Sequence, residues 1–268
     1  MKKDENLSYE RLLYLKNKKT KNTVISLSRI GILVVFIILW EVLGRLNIID
    51  SFIMSMPSKI VKTIFELSKT GELFTHLSTT LYETLLGFII ATTIGTIIAI
   101  LLWCSEYFRK ISEPYIVVLN SLPKIALGPI IIVWFGAGVK SIVFMAIIIT
   151  IIVTIITMQN GFLATDKNKI KLLKSLGATK IQTLTKLVLP ASIPTFISCL
   201  KINVGMAWIG SIMGEYLVSK QGIGYLIVYG GQVFKLDLVM ASTVILCVLA
   251  GLMYGSVVLI EKLITKRK

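Results

Sequence analysis

The sequence is short of the residues on which most enzymes depend. It holds one histidine, His76, which leaves metal catalysis and a Ser-His-Asp triad almost nothing to work with. The three cysteines, Cys104, Cys199 and Cys247, lie far apart, in or beside apolar runs. Without CxxC or Cys/His spacing they argue against disulfides and metal, and read as small apolar residues of a helix bundle. Charge is scarce, at 16% of residues. A phosphate-binding loop is missing: the nearest segment, Gly136-Ala137-Gly138-Val139-Lys140-Ser141, lacks the adjacent Gly-Lys that such a loop needs. No catalytic residue, metal or cofactor is therefore expected in this chain. No stretch between the apolar runs is long enough for a soluble core.

What is there is apolar. Hydrophobic residues make up 55% of the chain, and the mean hydropathy is +0.82. A soluble fold of 268 residues could not hide that much apolar surface, because much of any surface faces water. The composition predicts an all-α integral membrane protein embedded in the lipid bilayer. The net charge of +15 does not indicate nucleic acid, since the basic residues sit in short runs between long apolar stretches rather than among exposed aromatics.

A spanning helix needs about 20 mostly apolar residues, and about six such spans are expected. The first runs through 30–43, with Glu41 and Arg45 spaced to pair. Its long basic lead and the lack of a small-residue cleavage site mark it as a span rather than a signal peptide. The others lie near 77–103, 115–135, 142–158, 193–216 and 238–260. Between the first two, Pro57-Ser58 opens an amphipathic helix suited to a membrane surface. Gly87, Ala91 and Gly95 form a small-residue stripe that lets helices approach closely. Residues 220–231 read as a Gly-rich loop. With both termini in the cytoplasm, the inner segments hold twenty Lys and Arg and the outer ones seven, as the positive-inside rule requires. The expected organisation is a basic cytoplasmic tail over 1–28, a transmembrane domain over 29–262 and a basic tail over 263–268.

Some residues within the spans invite a role in a translocation path. Pro123 and Pro129 free backbone groups that neighbours or water must satisfy, which suits either a kinked pore-lining helix or a packing kink. Lys124, near the cytoplasmic end, is placed to snorkel. Lys201 and Asn203, about two turns into the fifth span, are path candidates, because charges in lipid usually face a cavity or a partner. Glu215, at the outer end of that span, is either a gate or binding group or a solvated helix end. His76 reads as interfacial and structural.

The most informative stretch is cytoplasmic, about 162–188. Ile170, Leu172, Leu173 and Leu176 have helical spacing, Gly177 suits a helix C-terminus, and Ile181, Leu184 and Leu187 resume the period. By physics alone this is a helix-turn-helix, or an amphipathic loop resting on the bilayer. The segment Gly177-Ala178, then Leu187-Val188-Leu189-Pro190, resembles the "EAA" loop of ABC importer permeases, although Lys171-Leu172-Leu173 stands where that family has Glu-Ala-Ala. Leu122-Pro123-Lys124-Ile125-Ala126-Leu127-Gly128-Pro129 with Trp134-Phe135-Gly136-Ala137-Gly138 resembles the nitrate/sulfonate/taurine group of that family. So does Gly214-Glu215-Tyr216 with Gln221-Gly222-Ile223-Gly224-Tyr225. The likeness covers about residues 30–260.

This resemblance implies a type I importer permease bundle in a bacterial plasma membrane. It implies that Lys171, Leu172, Leu173, Gly177, Ala178, Leu187, Leu189 and Pro190 couple to a cytoplasmic ATPase that binds the ATP. It also implies an extracytoplasmic substrate-binding protein, a homodimer of this chain, and import of a small anion such as nitrate, a sulfonate or taurine, or of a thiamine-precursor-like compound. The alternative is a secondary transporter or channel without an ATPase. That needs intramembrane acidic sites, for which Glu41 and Glu83 are the candidates.

Overall fold

The computed structural model describes residues 9–265, which here are all helix and connection, without strand. Residues 1–8 and 266–268 lie outside this range. Helix α1 covers Tyr9–Arg45, α2 Pro57–Thr70, α3 Glu72–Cys104, α4 Glu106–Ser121 and α5 Gly128–Phe135. They are followed by α6 (Val139–Leu163), α7 (Lys167–Ser175), α8 (Lys180–Thr183), α9 (Leu189–Ala191), α10 (Ile193–Val218), α11 (Ile223–Gln232) and α12 (Leu236–Thr265). Five helices are long and apolar enough to cross a membrane: the Thr23–Arg45 part of α1, then α3, α6, α10 and α12. The bent pair α4 and α5 makes a sixth, with an 86° break.

Proline chemistry explains that break. Leu122 precedes Pro123 and is extended, with ψ 137°, because the proline ring disfavours helical geometry in the residue before it. A 3₁₀ turn over Lys124–Leu127 follows. Pro129 then occupies the first turn of α5, where its missing N–H costs nothing. One proline of the motif ends a helix and the other starts one.

Helices α3, α6 and α10 pack most intimately. Lipid offers no hydrophobic drive for helices to associate, so close contact depends on small residues. A Cβ on Gly87 would stand 2.5 Å from Ala146 Cβ, and one on Gly95 2.7 Å from Thr154 Cβ. Facing them, a Cβ on Gly210 would lie 2.4 Å from Ala146 Cα, and one on Gly214 2.8 Å from Ile142 Cα. At one side α11 and α12 close over this trio through Trp208, Ile223, Leu226, Leu238, Ile245 and Leu249. At the α7 end, Met158, Phe162, Leu184, Val188 and Cys199 form a second apolar cluster.

Helix α1 stands apart. Its apolar side chains from Val24 to Leu39 are 40–72% exposed. Near its C-terminal end the Ser58 N–H donates to Glu41 at 3.0 Å, and Arg45 of α1 itself donates to the same carboxylate at 2.7 Å. Glu41 thereby caps the start of α2, and Gly44 leaves room for Met56. Pro57 sits at the N-terminus of α2 and Gly71, at φ 77°, ends it. The helix anticipated at Pro57-Ser58 is thus present and set by its own end signals.

Candidate functional site

Two regions concentrate polar chemistry: a buried seam through α3, α6 and α10, and the exposed segment 164–190. The seam begins midway along the bundle. Asn203 is wholly buried. Its Nδ2 donates to Thr92 Oγ1 and to Thr154 Oγ1, each at 2.9 Å. Thr154 passes its own proton to the Thr150 carbonyl. One amide thus ties three helices together. Towards the α2 end, the Thr84 and Ser211 hydroxyls are 2.6 Å apart.

Next along α3 and α10 lies a carboxyl pair. Glu83 and Glu215 are each 1% exposed. Glu83 Oε2 and Glu215 Oε1 find no hydrogen-bond partner among the described residues.

Glu215 also organises α11. The first N–H groups of a helix have no partner within it, and α11 has no capping side chain of its own. Other helices supply the acceptors. Gly222 N donates to His76 Nδ1 at 2.9 Å, Ile223 N to Thr80 Oγ1 at 2.7 Å and Gly224 N to Glu215 Oε2 at 2.6 Å. A Cβ on Gly222 would stand 2.3 Å from Glu215 Oε2 and one on Gly224 2.8 Å from it, and Gly222 has φ 114°. The Glu215…Gly222-Ile223-Gly224 pattern is therefore a helix start gripped by a buried carboxyl.

Several expectations change here. The Gly-rich stretch 220–231 is largely helix, because acceptors from α3 and α10 replace the local caps it lacks. Glu215 is not a solvated helix end, since α11 folds over it. Asn203 and Glu215 are enclosed by helices of their own chain, and Asn203 Nδ2 and Glu215 Oε2 are spent on interhelical bonds. Lys201 is half-buried and closes a 2.7 Å ion pair with Glu261 on α12. Pro123 and Pro129 lie on an exposed surface, where Lys124 Nζ donates to the Asn120 carbonyl at 3.1 Å. The structure does not gather the five path candidates into one site. His76 matches its structural reading, with its ring stacked on Tyr225, centroids 6.0 Å apart.

The exposed segment is built by strong local signals. Asp166 caps α7 by accepting from Asn168 N at 2.8 Å. Gly177, at φ 81°, ends α7, and Ala178 N reaches back to the Leu173 carbonyl at 3.0 Å. Thr179 and Gln182 form a reciprocal capping box that starts α8. A π turn over Leu184–Val188 follows, widening the helix where the Pro190 ring would crowd a regular turn. Lys171, Leu172 and Leu173 are on α7, and Ala178 is in the turn. Leu187 and Leu189 are partly buried where the segment rejoins the bundle, beside exposed Pro190. The helix-turn-helix reading describes what is seen.

Comparison with known proteins adds an independent line. A family model described as binding-protein-dependent transport system inner membrane component matches residues 91–267. The chain is 29% identical over 232 residues to the putative aliphatic sulfonates transport permease protein SsuC of Bacillus subtilis, covering 87% of this chain and 84% of that one. It is 30% identical over 188 residues to the formylaminopyrimidine transport permease protein ThiX of Halalkalibacterium halodurans, covering 70% and 74% respectively. In fold it resembles a chain of a bacterial ABC transporter involved in import of the acidic polysaccharide alginate. There the TM-score is 0.65 at 13% identity, over 92% of this chain and 98% of that one.

Proposed function

The chain belongs to the binding-protein-dependent transport system inner membrane components and is the permease subunit of an ABC importer, and from that premise we propose how it works. Two copies, in a bacterial plasma membrane with both termini cytoplasmic, enclose the translocation path. The broken helix around Pro123 and Pro129 faces that path, since its surface is left open in the single chain. The unpacked α1 lies against the second copy. A separate cytoplasmic ATPase binds and hydrolyses ATP, and an extracytoplasmic binding protein delivers a small organic solute. Relatives named for aliphatic sulfonates and formylaminopyrimidine support that substrate class.

The observation that carries the reading is the protruding segment 166–187, capped at each turn and joined firmly to α10. ATP-driven closure of the ATPases presses on this segment, and α10 transmits the motion to α3 and α6 through the seam. The bundle then rocks between outward- and inward-open forms, as differential affinity for ATP in the two states requires. The test is purification of the tagged chain in mild detergent from its own cell, with mass spectrometry of what accompanies it. An ATPase near stoichiometry is expected. Recovery of the chain alone, even after crosslinking, would refute the reading in favour of a transporter without an ATPase.

A further inference from the structure

Segment 166–187 carries six lysines, Lys167, Lys169, Lys171, Lys174, Lys180 and Lys186, against one acid, Asp166. All six are exposed. Among the described residues none closes an ion pair, though Glu106 lies within electrostatic reach of Lys180. Asp166 is occupied in capping α7. Of the four on α7, only Lys174 stands in the last turn, where a cation suits the helix dipole. Lys167 and Lys169 stand in the first turn of α7, the end where a cation opposes the helix dipole.

Large apolar side chains are interleaved with this charge. Leu172, Leu176 and Ile181 are 60%, 73% and 71% exposed. Leu172 is on α7 and Leu176, four residues on, is the residue that follows its last turn, with Lys169 three residues before Leu172 on the same face and Lys171 at its edge. Meanwhile Ile170 and Leu173 are partly buried. Topology alone asks for lysines on a cytoplasmic loop, but it does not ask for leucines set among them and turned outward.

Resting on the permease reading above, we propose that this face selects its ATPase by charge, fitting a groove with an apolar floor for Leu172 and Leu176 and an acidic rim for Lys169, Lys171 and Lys174. The sign of the contact is the chain-specific part. Where the family motif begins with Glu, this chain presents Lys171. An ATPase from a related importer whose groove is basic at the rim is repelled, because like charges brought together suppress wrong partners.

The experiment uses the full chain, co-expressed with its ATPase and purified in mild detergent across a salt series. The variant Lys169→Glu/Lys171→Glu/Lys174→Glu is compared with a matching Lys→Gln variant. ATPase retention should fall roughly tenfold for the Glu variant and less for the Gln variant, and wild-type retention should weaken as salt rises. Suppressors that restore uptake to the Glu variant should map to Asp or Glu codons of the ATPase. Wild-type retention by the Glu variant, without salt dependence, overturns the proposal and leaves the permease reading intact. Loss of anionic lipid from the Glu variant with the ATPase still bound also overturns it, assigning the charge to the bilayer. A wild-type chain that retains no ATPase at any salt removes the premise and the proposal together.

Discussion

Replacing Glu215 tests what holds the α11 end of the seam. Glu215→Ala deprives Gly224 N of its acceptor. A buried donor left unpaired costs about 1–3 kcal/mol, which sets the expected loss. Glu215→Gln is different. Its carbonyl oxygen can accept from Gly224 N as Glu215 Oε2 does. The cost should be under about 1 kcal/mol, in the range of an ordinary hydrogen-bond exchange. Thermal unfolding of the detergent-purified protein, read beside uptake in cells, measures both. If Gln is as damaging as Ala, the bond from Gly224 N is not what Glu215 contributes. If Ala unfolds like the wild type, Glu215 does not hold α11.

Other outcomes follow from the same geometry. Gly177→Pro should abolish ATP-coupled uptake while membrane insertion, followed by protease accessibility, is unchanged; normal uptake would remove the coupling role of α7. Gly210→Val places side-chain atoms against the Ala146 backbone and should cost about 1–3 kcal/mol or more in detergent unfolding, as overpacking does. Asn203→Leu loses two interhelical bonds worth about 0.6 kcal/mol each, a drop near 1 kcal/mol that stays small because Thr154 keeps its bond to Thr150. Lys201→Glu and Glu261→Lys should each lower stability, and the double exchange should recover most of the loss in the same unfolding assay.

The spans were legible because twenty-residue apolar runs have no other use in a chain with so little charge. The Pro123 break, the start of α2 at Pro57 and the turn at Gly177 were legible because each is set by the covalent properties of one residue. Helix rotation was not legible. In lipid the packed and the lipid-facing sides are both apolar, so no polar stripe marks the buried face, and Asn203 looked open when its partners Thr92 and Thr154 enclose it. Helix α11 was missed for a related reason. Its caps come from residues 76, 80 and 215, and glycines without local caps read as loop. The signal that could have found it was an acid at a span end followed by Gly-x-Gly, which asks what the missing side chains make room for.

The borrowed caps of α11 also carry a timetable. A ten-residue helix is too short to hold itself together in water. During synthesis its segment leaves the ribosome long after α3 has entered the bilayer, and just behind Glu215. It cannot wind until α3 and α10 have found each other and aligned His76, Thr80 and Glu215 on one site. Its winding therefore reports that the central helices are correctly paired. A subunit with α3 or α10 misinserted would leave 219–235 as loose chain at the membrane surface, open to the proteases that police membrane assembly.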